Sequence, residues 1–254
     1  MSNLYIREES KKILESKNFL IVFILYFATF LLPALFLYLE DIGEPIIFYS
    51  YNIYASNLKL IYPLISIYLY SWIIGHEYNY KTIHVLKNST SNFNYVILSK
   101  FLATTIIISS IYLVLNLIYL FILLFTTDID NIYVNGLNIE FNEFIINWFI
   151  VLFLSLLFIV GIGSIAMFLT FITKKWFFTT ILMIVTIILL PNIPLPNVIR
   201  EYTPLKGFYI AQLFYTVDLD IKYIIKTSVI NFIFIILFLL FSFSKENKVK
   251  EKFS

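Results

Sequence analysis

Six stretches of this chain contain no charged side chain: residues 18–39, 60–75, 101–127, 144–173, 176–199 and 227–244. A helix crosses the roughly 30 Å of bilayer hydrocarbon with about 20 apolar residues. Of the 254 residues, 60% are hydrophobic and 13% charged, where a soluble domain carries about 25% charge. A globular core has no room for that much apolar surface, so lipid is the solvent for much of the chain. A barrel would alternate polar and apolar residues over ten-residue strands, so the runs read as helices. The second run extends back through residue 54, with Lys59 reaching the outer surface, and the sixth extends back to Tyr223, with Lys226 near its outer end. The first is too long for a signal-peptide core and lacks a small-residue cleavage site, so it reads as a retained span. The expectation is an all-α polytopic membrane protein with one transmembrane domain over residues 1–254 and spans at about 18–39, 54–75, 96–127, 144–173, 176–191 and 223–244.

The basic residues orient these spans. Thirteen of the 18 lysines and arginines fall in the N-terminal segment, the second and fourth loops, and the C-terminal tail. Lys59, Arg200, Lys206, Lys222 and Lys226 fall on the other side, whose first and third loops are acidic. The positive-inside rule then places both termini in the cytoplasm. The heavy use of Ile, Asn, Lys, Tyr and Phe points to an AT-rich bacterial genome, and so to a bacterial cytoplasmic membrane.

Several chemistries are excluded. There is no cysteine, hence no disulfide, thiolate metal site or thiol catalysis. No ionisable residue sits mid-span, where proton-coupled carriers place theirs. Ser66 and Ser155 have no base within the spans, so an intramembrane hydrolase is not supported. His76 and His84 lack the spacing of a zinc metalloprotease, and Glu77 is not placed as its base; no metal site is expected. No phosphate-loop motif is present, so any ATP chemistry belongs to another protein. The net charge of +2 gives no sign of a nucleic-acid partner. The chain is read as not an enzyme, with no cofactor of its own.

Residues 3–17 form a charged, amphipathic stretch. Ile6, Ile13 and Leu14 fall on one helical face, the pattern of an interfacial helix; a solvated helical start to the first span is the alternative. The fifth run is interrupted by Pro191, Pro194 and Pro196, which end its helix near 191 after about 22 Å at 1.5 Å per residue. The apolar residues that follow, Phe208 and Phe214 among them, predict an outer lid over residues 191–220 rather than a plain loop. Most polar residues within the spans bond their own backbone. Asn116 and Asn231 cost more to bury and are candidates for a transport pathway. Gly161, Gly163, Ser164 and Ala166 allow another helix to approach closely.

The most informative loop joins the second and third spans. It opens with Gly75-His76-Glu77 and closes on Ser99-Lys100. Tyr80, Ile83 and Leu86 recur every three residues, beside Lys81 and Lys87, and predict a short helix from Glu77 to about Lys87 with an apolar face for a soluble partner. An ordinary hairpin loop is the alternative. Capping residues Ser89 to Asn92 precede the next helix.

In these features the chain resembles the ABC-2 type permeases. Their second and third spans are joined by a coupling helix that begins at an acidic residue, passes a Thr-hydrophobic segment and a Ser- or Pro-marked turn, and reaches a Lys. Here those features are Glu77, Thr82-Ile83, Val85-Leu86, Ser89 to Ser91, and Leu98-Ser99-Lys100-Phe101, without the turn proline common in the family. The order of amphipathic helix, six spans and outer re-entrant element also matches. The plan looks most like the permease subunits of peptide-antibiotic immunity and bacitracin-type exporters. The resemblance implies ATPase coupling through Glu77, Tyr80, Thr82, Ile83, Leu86 and Lys87. It further implies a separate ATPase subunit carrying ATP-Mg, a second permease chain forming a homodimer or heterodimer, and export of an amphipathic antimicrobial or cytolytic peptide. An ABC permease for ions, drugs or lipid intermediates, and a non-transporting membrane scaffold or sensor, are the competing readings.

Overall fold

A computed structural model describes residues 2–39, 57–83, 93–126, 132–134, 137–189, 210 and 221–250. Among them are seven helices and one strand pair: α1 (Ser2–Leu14), α2 (Lys17–Leu39), α3 (Tyr62–Asn79), α4 (Phe93–Thr126), β1 (Ile132–Val134), β2 (Leu137–Ile139), α5 (Phe141–Thr173), α6 (Trp176–Leu189) and α7 (Ile221–Lys250). One π-helical turn, Asn57–Ile61, leads into α3. The strands pair antiparallel, Ile132 opposite Ile139 and Val134 opposite Leu137. The all-α expectation holds for the described helices, and this three-residue strand pair is the one addition to it among the described residues.

Three described helical stretches are long and apolar enough to cross a membrane: Phe93–Ile118, Phe141–Thr173 and Ile221–Phe243. Lys17–Thr29 and Trp176–Leu189 are shorter apolar stretches. The expectation of six spans is therefore met at three helices among the described residues. Of the others, α6 ends after 14 residues, and α3 interleaves its aliphatic residues with tyrosines, Ser66, Ser71, His76 and Glu77.

Local chemistry sets the helix ends. The Ser16 hydroxyl accepts the Phe19 N–H at 3.0 Å and donates to the Ile13 carbonyl at 2.7 Å, closing α1 and capping α2 in one residue. Lys81 and Lys174 hold φ near 57° and 58°. Both sit just past a helix end, in the left-handed conformation that reverses the chain. At Lys174 the cap N–H bonds the Thr170 carbonyl at 2.8 Å, and α6 follows at once.

Helix α5 is the centre of the bundle. Of its apolar window 67% is buried, against 44% for α4 and 17% for α7. It packs on α3 along one side and α7 along another, while α3 also meets α6. Small residues permit these approaches. A Cβ on Gly163 would overlap the Tyr70 ring and Ser66 Oγ of α3, and one on Gly75 would overlap the Trp176 side chain of α6. Hydroxyls then tie the helices together. Ser66 Oγ donates to the Ile159 carbonyl at 2.8 Å, the Tyr70 and Thr105 hydroxyls share a bond of 2.6 Å, and those of Tyr112 and Ser155 one of 2.5 Å. Tyr62 stacks on Tyr26 and meets Tyr112 edge-on, so an aromatic column runs from α2 through α3 to α4. The glycines thus serve packing within the chain.

Gly163→Val is expected to cost about 1–3 kcal/mol by overpacking, read as a lower thermal midpoint in detergent. Gly161→Ala meets only Asn231 Oδ1 at 3.4 Å and is expected to leave the midpoint nearly unchanged.

Candidate functional site

At one end of the bundle, α1 crosses the start of α4 beside the last turn of α3. Helix α1 is amphipathic, but its inward stripe runs through Ile6, Glu9 and Ile13, and so carries an acid. Lys100 lies two turns into α4 and is 2% exposed, and Glu77 on the last turn of α3 is 8% exposed. Burial of unpaired charge is prohibitive, so these groups must find each other. Lys100 Nζ donates to Glu9 Oε2 at 2.6 Å and to Glu77 Oε1 at 2.8 Å. Each carboxylate uses its second oxygen as well. Lys12 Nζ donates to Glu9 Oε1 at 3.0 Å, and the Thr82 hydroxyl donates to Glu77 Oε2. Two acids and two lysines make the cluster neutral, and it joins three helices.

The electrostatics agree with the geometry. Burial pushes the Glu77 carboxyl up, but the Lys100 ammonium beside it, with help from Thr82 and Lys12, holds it below the usual carboxylate range. Partial burial pulls Lys12 down, but Glu9 outweighs it and raises the ammonium above its usual value.

A second feature borders the cluster. Trp72 meets His76 edge-on at a centroid distance of 5.5 Å, His76 meets the tilted ring of Tyr80 at 4.5 Å just past the end of α3, and the Tyr80 ring is 69% exposed. The chain turns at Tyr80 and Lys81, and Thr82 and Ile83 are helical again. The expected helix beginning at Glu77 is corrected here. Glu77 belongs to α3, and the break falls where Lys81 adopts its left-handed conformation.

Of the residues expected at the coupling site, Glu77 and Thr82 meet in the cluster and Tyr80 is exposed beside it. Ile83 is 3% exposed and faces the core rather than a partner, because the turn at Lys81 rotates it inward. Leu86 and Lys87 lie outside the described residues. On α1, Ile6 and Ile13 pack against protein, so the face expected to lie in the membrane interface is taken up by the bundle; Leu14 is exposed. Asn116 and Asn231 are each 1% exposed and donate to carbonyls of their own helices, Tyr112 at 2.7 Å and Thr227 at 3.0 Å. The structure does not bring them to the cluster. Pro191, Pro194, Pro196, Phe208 and Phe214, the expected lid, lie outside the described residues. Sequence reasoning missed Glu9. The available signal was an acid on the apolar stripe of α1, three residues after Ile6 and four before Ile13.

No family model matches the chain, and no curated protein matches it.

Lys100→Met leaves the buried Glu77 carboxylate without a cation and Glu9 with Lys12 alone, and is expected to cost about 3–5 kcal/mol. The triple change Glu9→Gln, Glu77→Gln, Lys100→Met removes all of that charge together and is expected to recover much of the loss in detergent unfolding. Acid titration gives a second check. The depressed Glu77 carboxyl contributes stability that is whole above its ordinary value of 4.5 and is lost as pH falls through the lower folded value. In Glu77→Gln that part of the acid loss is expected to vanish.

Proposed function

We propose that this chain is the transmembrane permease subunit of an ATP-binding-cassette exporter of the ABC-2 type, moving an amphipathic antimicrobial or cytolytic peptide out of a bacterial cytoplasmic membrane. In this reading the chain spans the membrane six times with both termini in the cytoplasm. Two permease chains form the pore, and a separate ATPase subunit binds ATP-Mg. The end bearing the charge cluster is the cytoplasmic one, and residues 77–87 receive the push of the ATPase.

One observation carries the proposal, the buried Glu9–Lys100–Glu77 bridge. A loop that receives force is useful only if the helices it joins do not absorb the displacement. The bridge fastens the end of α3, the start of α4 and all of α1 into one body immediately beside that loop. Movement of the segment after Lys81 is then passed to two long helices together. Tyr80 and Lys81 are exposed at the edge of that body, and in this reading they are the residues that meet the ATPase.

A soluble ATPase with a phosphate loop is expected to co-purify with the chain in detergent, and cells carrying both are expected to clear an amphipathic peptide from their membrane. Ile83 is buried, so the surface change is Tyr80→Asp with Lys81→Glu. It should weaken ATPase retention at least tenfold while leaving the thermal midpoint in place. A chain that retains no ATPase and clears no peptide is not a permease of this class.

Topology is tested separately. A reporter active only outside the cell is expected to be silent after Ser254 and active after Asn135; the reverse pattern overturns the orientation.

A further inference from the structure

Helix α2 continues through Pro33, and a proline has no N–H to give. The carbonyl it deprives is that of Thr29, four residues earlier. Inside lipid a carbonyl in that position must find another donor. The structure supplies one from 28 residues further along the chain: Asn57 Nδ2 donates to the Thr29 carbonyl at 2.9 Å. Asn57 is 7% exposed and opens the single π-helical turn among the described residues. Such a turn carries an extra residue, rotates what precedes it relative to α3, and recurs at functional positions. The Thr29 hydroxyl bonds back to the Leu25 and Tyr26 carbonyls at 2.9 and 3.1 Å, a second feature that loosens a helix at this point.

We propose that Asn57 is a positioning residue that pins a proline hinge in α2. It replaces the missing hydrogen bond and fastens the hinge to the entry of α3. While the bond holds, α2 stays one rod and the π turn stays seated against it. When the bond breaks, the segment after Pro33 bends independently of the segment before it. The inference stands on the Thr29, Pro33 and Asn57 geometry alone and holds whatever the chain transports.

Because the partner group is missing through a proline, restoring it in cis tests the pin directly. Asn57→Leu should lower the thermal midpoint in detergent by several degrees. Pro33→Ala returns an N–H to the Thr29 carbonyl, and in that background Asn57→Leu should cost less than a third as much. The chain has no cysteine, so spin labels at Leu20 and Leu39, about 28 Å apart along the helix, read the hinge itself. The distance distribution should be narrow in the parent, broad in Asn57→Leu, and narrow again in the double variant. An equal cost of Asn57→Leu in both backgrounds, or a distribution unchanged by it, overturns the proposal. Should Asn57→Leu alone fail to fold, the double variant decides: the pin requires that it fold with a narrow distribution, and failure rejects it.

Discussion

Lys100 is an ammonium buried among aliphatic and aromatic residues, and three helices are arranged to meet its demand for acceptors. Taking one such ion out of water costs several kcal/mol after relaxation, so Lys100 is tolerable only with Glu9 and Glu77 both in place. Each acid imposes a further condition. Glu9 requires α1 to fold back over α4, which the Ser16 cap allows by ending α1 and starting α2 at one residue. Glu77 requires α3 to run a full turn past Gly75, and Gly75 accepts the Trp176 side chain that would otherwise hold α6 away. The meeting of α1, α3 and α4 at this end thus follows from one lysine.

Away from that end a different economy operates. Lipid leaves helices no hydrophobic reason to associate, so contact area and hydrogen bonds must do it. Helix α5 places Gly163 under Tyr70 and exposes its Ile159 carbonyl to Ser66, so the two helices approach to backbone distance. Tyrosine is well suited to this setting, since its ring stacks as an apolar group while its hydroxyl finds a neighbour. The column Tyr26, Tyr62 and Tyr112 ends on the Ser155 hydroxyl and so links α2, α3, α4 and α5.

Much of the helical scaffold was legible because charge-free runs are a property of composition, and composition survives any detail of packing. What the sequence concealed depends on contacts between distant residues. Ile83 belonged to the periodic set Tyr80, Ile83 and Leu86, yet one left-handed residue at Lys81 breaks that period and turns Ile83 inward. Lys100 was readable as a boundary marker, but its partner Glu9 lies 91 residues away and nothing local pairs them. Likewise Pro33 announces an orphaned carbonyl, while the donor that answers it is identifiable only in three dimensions.

That contrast bears on what α1 is for. An interfacial helix needs an apolar face toward lipid and charges toward water, and Ile6 and Ile13 fit that requirement. Glu9 between them does not, because an acid on the lipid-facing stripe would oppose both burial and the negative surface of the inner leaflet. Turned toward α4, the same acid becomes the counter-ion of Lys100 and the two isoleucines become packing residues. The residues left outward include Tyr5, Arg7, Glu8, Lys11, Leu14 and Glu15, a surface of mixed charge on which Lys11 pairs with Glu15 at 3.9 Å. Glu9 therefore decides which face of α1 the protein takes. Apolar residues in place of Glu9, Glu77 and Lys100 together would pack α1 against α3 and α4 but would not specify that rotation, which is a reason for a buried ionic cluster where simple hydrophobic packing was available.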